Sequence, residues 1–504
     1  MRSSIVSLWC AALAAILVVA PFGEAGAAPL KAGAAKVDIS HPDAGPPSPT
    51  LYVKAVAISD GKTTAVLATV DAVAIGQIGH IRNEYLGNVR AQLKQQLGIE
   101  PANFLINASH CHGVVCAEIE QRTVEAVKLA IERMVPVKVG VGIGSEDRIM
   151  ENRRMKLKNG RDADVRHAYS VASDDAVASV GPVDPQIGVL RLDRLDGKPL
   201  AVVYNFACHP IQGVPSGANT SDITGFSSQV LEDVLGDDSV ALFVQGCGGD
   251  INPIMYKDVA RPRDAEPLGN MLALSTLKAY RKIVTKEEAP LKLINEPLEL
   301  PRADLAERIE AQEAEQMRLL KSLKGTSLNF KTFLPLVVKY KVSGEFPSYY
   351  SHTYLHDRML GRNDLDKLDA SNRANIDQYI ENILVMEELT RVQTNLALLK
   401  LHHGQNVAAG KRTLDVEVGG LRVGDFVLVT FPGELTVRIG LNIKEHSPHK
   451  PTFVAGYTNG YIYYAPTAEQ LLNVGNAQED SDCLLAPEWQ AIFEEKAGDV
   501  LKRL

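Results

Sequence analysis

The sequence predicts an α/β fold: layered mixed sheets flanked by helices, with a helical insertion of ~100 residues at about 301–404. Three observations carry this reading. Between residues 51 and 141, apolar strand-like runs alternate with stretches of helical period. After residue 190, two further apolar runs end in polar loops that contain Gly or Pro. Residues 301 to 404 break the alternation with apolar residues spaced by threes and fours.

Taken in order, Leu51 to Asp71 reads as two strands around a turn at Asp60-Gly61, the second running through Val66, Leu67, Ala68 and Val70. Ile78, Ile81, Tyr85, Val89 and Leu93 predict a helix from Gln77 to Leu97. The short strand Phe104-Leu105-Ile106 enters the polar loop Asn107-Ala108-Ser109-His110-Cys111-His112-Gly113. A helix over about Glu118 to Met134 and a strand through Val137, Val139 and Val141 continue the alternation. The apolar run Ala201–Phe206 leads into Ala207-Cys208-His209-Pro210, and Val240–Val244 leads into Gln245-Gly246-Cys247-Gly248-Gly249-Asp250. In open α/β sheets, ligands bind in such loops beyond the strand carboxyl ends. Inside the insertion, Ile376, Ile380, Ile383, Met386, Leu389, Val392, Leu396 and Leu399 predict one helix stopped by Gly404, and Ala303 to Leu323 predicts a second. Leu421 to Phe431 reads as a single strand leading into Pro432-Gly433-Glu434.

Composition narrows the function. The 504 residues carry 53 Lys+Arg against 61 Asp+Glu, with 45% hydrophobic residues, which is ordinary for a globular chain and excludes a disordered one. The formal net charge of −8 argues against a nucleic-acid partner, whose recognition rests on a basic surface. Arg2, the apolar run Ile5–Ala20, Pro21 and Ala25-Gly26-Ala27-Ala28 form a secretory leader, so residues 1–28 are expected to be removed and the protein to be secreted or periplasmic. Residues 29–504 are then expected to form a single catalytic domain. Once Cys10 leaves with the leader, Cys111, Cys116, Cys208, Cys247 and Cys483 remain, too few for a disulfide scaffold and expected to pack as small buried residues.

His110-Cys111-His112 is the strongest local signal, because imidazoles two apart after a strand suit a metal ligand with its neighbour. His209 occupies the same kind of strand exit, with Pro210 fixing the turn. Glu434 and the tyrosines Tyr457, Tyr461, Tyr463 and Tyr464 are further candidates, the last group otherwise reading as a wet aromatic rim. His352 and His356 share a helical face but lack the glutamate of an H-E-x-x-H site; with His402-His403 they read as structural or surface residues.

Together these motifs resemble the neutral/alkaline, non-lysosomal ceramidases and their shorter bacterial relatives. Ser109-His110-Cys111-His112-Gly113 resembles the family's T-H-T-H-S-G-P, and Phe206-Ala207-Cys208-His209-Pro210 resembles its F-x-x-H-P. Ser221-Asp222-Ile223-Thr224-Gly225-Phe226 is similar to S-D-x-x-G-[YF], and Gly249-Asp250-Ile251-Asn252-Pro253 to G-D-[VL]-S-P. Pro432-Gly433-Glu434-Leu435-Thr436 matches P-G-E-[FL]-T, and Asn459 to Thr467 looks like the tyrosine block. The resemblance implies one Zn²⁺ per chain held by His110, His209, Glu434 and Tyr464. It implies catalytic roles for His112, Arg153 and Asn252, and substrate contacts from Arg153, Asp250 and Tyr461. The implied activity is hydrolysis of the amide of an N-acyl lipid such as ceramide, with a small-molecule or lipid substrate, no nucleic acid and transient contact with a membrane surface.

The departures keep two alternatives open. The family's serine is Asn252 here, which donates hydrogen bonds but cannot act as a nucleophile, and no tyrosine follows Tyr464. Leu504 lies about 40 residues past the tyrosine block, so the C-terminal β-sandwich of ceramidases proper is expected to be missing. The alternatives are a zinc hydrolase of another amide or ester, and a catalytically silent exported binding protein.

Overall fold

A computed structural model describes residues 30–164, 172–213, 219–236, 238–254, 256, 260, 263–347, 351–473 and 477–504. The leader expected at 1–28 lies outside them. The first strands are β1 (Lys31–Asp38), β2 (Tyr52–Ser59) and β3 (Thr64–Val70), followed by helix α1 (Tyr85–Leu97), β4 (Phe104–Ala108), α2 (Ile119–Glu132) and β5 (Val135–Ser145). Short strands β6 (Met150–Asn152), β7 (Arg154–Leu157), β8 (Asp162–Asp164) and β9 (Val177–Val180) precede β10 (Gln186–Arg194), β11 (Pro199–Phe206), α3 (Asp222–Leu235), β12 (Val240–Gln245), β13 (Ile251–Pro253) and α4 (Glu266–Tyr280). Eight of these strands form one mixed sheet in the order β12-β11-β10-β5-β1-β2-β3-β4. β11 and β12 pair in parallel, as do β3 and β4, so both histidine-bearing strands run beside a parallel neighbour.

The second sheet comes from the C-terminal half. Strand β14 (Leu291–Pro301) pairs antiparallel with β15 (Thr413–Val423), and the insertion fills the gap between them as α5 (Ala306–Ser322), α6 (Phe330–Val342), α7 (Ser351–Met359) and α8 (Asp364–Ala408). β16 (Phe426–Thr430), β17 (Glu434–Leu435), α9 (Val437–His446), β18 (Phe453–Ala455), β19 (Tyr464–Ala465), α10 (Ala468–Leu471) and α11 (Trp489–Arg503) complete the chain. The second sheet runs β14-β15-β16-β18.

Alternation along the strands explains the layering. In β2, Val53, Ala55 and Ala57 face a core with Val89, Leu93, Val124 and Val127 of α1 and α2. Val56 and Ile58 face the other way, into a core shared with Leu421, Phe426, Leu428 and Phe453 of the second sheet. On that sheet's far side, Val418 and Val429 meet Trp489, Phe493 and Val500 of α11. Each such large side chain contributes ~1.5–3 kcal/mol by leaving water. The body is therefore a helix–sheet–sheet–helix sandwich.

Three sequence expectations need correction. The helix expected from Gln77 begins at Tyr85, because Gly76, Gln77 and Gly79 adopt positive φ (90°, 62° and 75°) and wind the chain into turns. The strand expected over Leu421–Phe431 is a hairpin, broken where Gly424 takes φ 62°. Gly404 does not end its helix: α8 runs on to Ala408, and Gly410, at φ 61°, is the residue that turns left-handed.

Candidate active site

The carboxyl ends of β4, β11 and β16 converge on one buried point. Ser109 N donates to Val70 O and His110 N to Ala72 O, both at 3.0 Å, which fixes the exit of β4. His110 sits at φ 69°, a left-handed conformation uncommon for a residue with a β-carbon. Its Nδ1 lies 2.6 Å from Val73 O, and His209 Nδ1 lies 3.0 Å from Ile251 O. A carbonyl only accepts, so each Nδ1 carries a proton, and each Nε2 is left facing Glu434. Glu434 enters from β17, which pairs with β19 so that Glu434 lies opposite Tyr464. Its Oε2 is 3.1 Å from His209 Nε2 and 3.5 Å from His110 Nε2.

These three residues are the one group of His, Cys, Asp or Glu side chains among the described residues with the spacing of a metal site, their ligand atoms lying within 4.8 Å of one another. Two imidazole nitrogens and a carboxylate oxygen that face one another are the donor set that suits a divalent cation. Burial is the largest cause pushing the His110 imidazole down to about 4; the Glu434 charge opposes it and His209 adds to it. Zn²⁺ with bonds of about 2.0–2.1 Å in a tetrahedron places its ligands ~3.3 Å apart, which matches the separations to Glu434 Oε2. The residues therefore fit the ion that the resemblance implies.

The tyrosines form the wall of this site. Tyr457, Tyr461, Tyr463 and Tyr464 are all buried, which excludes the alternative reading as a wet rim. Tyr461 OH donates to Glu434 Oε1 at 2.5 Å and Tyr457 OH to Oε2 at 3.2 Å. Burial and then the Glu434 charge hold both phenols well above their usual range, so they remain donors. Burial pushes the Glu434 carboxyl up, but His110, His209 and the Tyr461 hydroxyl outweigh it and hold it well below the usual carboxylate range.

Arg153 is buried behind the site. Its Nε donates to Glu479 at 2.7 Å, Nη1 to Asn252 Oδ1 at 3.1 Å, and Nη2 to Gly249 O at 2.5 Å and Tyr464 OH at 3.1 Å. Because Arg153 can only donate, the Asn252 oxygen faces it, and Asn252 Nδ2 has no hydrogen-bond partner among the described residues. Asp250 accepts Val437 N at 2.7 Å and Asn152 Nδ2 at 3.1 Å, which ties the start of α9 to β6. His112 is exposed, its ring 5.7 Å from that of His110 and inclined 72° to it, and it is not one of the three clustered residues.

Other expectations resolve simply. His352 and His356 lie exposed on α7, whereas His402 is buried against Asp482 at 2.8 Å. Cys111, Cys116, Cys208, Cys247 and Cys483 are free and buried. A cavity of about 1120 Å³ elsewhere borders none of the three clustered residues; its Lys36 and Lys54 are paired with Glu232 in the same wall. Sequence reasoning missed Tyr457 as a partner of Glu434, and it missed Glu479 altogether. The run Glu479-Asp480-Ser481-Asp482 reads as a solvated acidic turn, and only its burial reveals otherwise.

No family model matches this sequence, and no curated protein does. Solved structures do. Neutral ceramidase from Pseudomonas aeruginosa superposes with a TM-score of 0.58 at 16% identity, covering 95% of this chain and 75% of that one. A ceramidase complexed with C2 gives 0.58 at 17%, covering 95% and 76%. The chain has a neutral ceramidase-like fold. Within that ceramidase-like fold, glycine admits the third clustered residue: a Cβ on Gly249 would lie 2.6 Å from Glu434 O and 2.8 Å from Leu435 O. Gly249→Ala is expected to displace Glu434, costing ~1–3 kcal/mol of stability. Paired thermal melts and metal titrations of the variant check this, and unchanged values in both refute it.

Proposed function

We propose that the chain is an exported zinc-dependent amidohydrolase acting on the amide of an N-acyl lipid such as ceramide. The observation that carries the reading is the buried convergence of His110 Nε2, His209 Nε2 and Glu434 Oε2, each histidine held by a backbone carbonyl. The ceramidase-like fold supports it. A bound zinc supplies Lewis acidity toward the amide carbonyl and a water that ionises near neutral pH. The chain's own groups do the rest. Tyr457 and Tyr461 hold the Glu434 carboxylate in place, and Tyr464, locked by Arg153, borders it as the fourth ligand of the proposal. Asn252 Nδ2 offers a donor to a substrate oxygen. His112, exposed beside the site, passes a proton from solvent to the departing amine.

Asn252 favours a second reading. An amide in place of the family's serine alters hydrogen bonding at the reacting carbonyl, which suits a different amide or an ester with the same metal. Purified protein is expected to hold about one zinc per chain, to lose N-acyl-sphingosine turnover on chelation, and to regain it on zinc addition. Zinc-dependent turnover of short esters without turnover of ceramide selects the second reading. A fully folded protein that binds no zinc refutes both.

A further inference from the structure

Helix α6 carries an apolar face that no described residue covers. Phe330, Leu334, Val338 and Val342 recur every fourth residue and are 66%, 49%, 54% and 81% exposed. The opposite face is the one that packs: Phe333 stacks on Tyr379 of α8 with ring centroids 4.3 Å apart, and Tyr340 OH donates to Asp369 at 2.7 Å. A capping box between Asn329 and Thr332 holds the first turn, so the exposed face belongs to a formed helix. Lys331, Lys339 and Lys341 are the charged residues of α6, and it has no acidic one, although the whole chain is net acidic.

We propose that this outer face of α6 docks on the anionic surface of a lipid bilayer. Apolar residues along one side of a short helix with lysines beside them have the chemistry of a segment that lies in the headgroup layer. At 13 residues α6 is ~20 Å long, too short for the ~30 Å hydrocarbon core, and no helix among the described residues is long and apolar enough to cross a membrane. A second copy of the chain fits less well: a strip ~20 Å by ~10 Å offers about 200 Å², against the ~800 Å² per partner of a stable interface. The placement agrees with this. Tyr379 and Asp369 lie in the half of α8 remote from Ala408, where the insertion returns to the sheet, so α6 sits toward the free end of the arm.

The test is co-sedimentation of the full chain with phosphatidylcholine vesicles, with and without about 30 mol % phosphatidylglycerol. It needs no turnover, so its outcome is independent of the proposed chemistry. The wild type is expected to sediment with the anionic vesicles and to be released by salt. Leu334→Asp/Val338→Asp is expected to weaken binding at least about 100-fold, and Lys331→Glu/Lys339→Glu/Lys341→Glu by a similar factor. Both variants should melt with the wild type, since none of the replaced side chains is buried. Wild type left in the supernatant, or variants that bind like it, overturns the proposal. So does a wild-type dimer that the double aspartate variant loses, which assigns the face to a second copy.

Discussion

His209→Ala is expected to lose zinc and to reduce kcat/KM on the order of 10³-fold or more, because the several kcal/mol of charge stabilisation that a catalytic metal provides disappears with it. The fold should survive. His209 N donates to Ile251 O through the backbone, and that bond does not depend on the side chain. The metal-free variant should keep its fold with at most a modest loss of stability, whereas the zinc-dependent increment expected of the wild type should vanish. Metal analysis, thermal melts with and without zinc, and single-substrate kinetics read the three effects separately. Equimolar zinc in the purified variant would remove His209 from the ligand set.

Arg153→Met is expected to be the most destabilising single change near the site, by ~3–5 kcal/mol. The guanidinium is 2% exposed and Glu479 is 0% exposed, so losing Arg153 strands a carboxylate in the interior. Asp164 is packed against Glu479; burial first, and then the Glu479 charge, raise its pKa to about 7. The stranded carboxyl will likewise titrate above its unfolded value. A raised folded-state pKa means that the unfolded chain releases its proton first, so the variant's stability is greatest below the ordinary carboxyl range and falls as pH rises toward neutrality. Denaturant melts at acidic and mildly alkaline pH check the sign. Arg153→Met/Glu479→Leu should recover much of the loss, because it removes both charges together. A single variant as stable as the wild type at alkaline pH contradicts this account of Arg153.

Much of the fold was legible because it follows from period. Strands β2, β3, β4, β11 and β12 and helix α2 lie where alternation and threefold or fourfold spacing place them, and the insertion is helical. The misplaced ends share one cause: Gly76, Gly79, Gly424 and Gly410 act through positive φ, which spacing does not encode. His110, His209 and Glu434 were legible as strand exits with metal-ligand chemistry. Their convergence was not readable from any one segment; it came from order and resemblance. The buried shell of Glu479 and Asp480 was illegible for a physical reason. A charged run is normally solvated, and the ion pairs that make its burial tolerable come from Arg153 and Arg154, more than 300 residues earlier.

Order along the chain has a consequence for biosynthesis. Every strand of the eight-stranded sheet lies before residue 246, so that sheet, with His110 and His209 at its edge, is available while the remainder is still being made. Glu434 belongs to the later half, beyond the helical arm, and its two tyrosine partners follow it. A nascent or nicked chain ending before residue 434 therefore carries two of the three proposed ligands, however well its first half folds. On the proposed function, competence is expected in one step, when the last hundred residues dock, and truncation products should be inert rather than partly active.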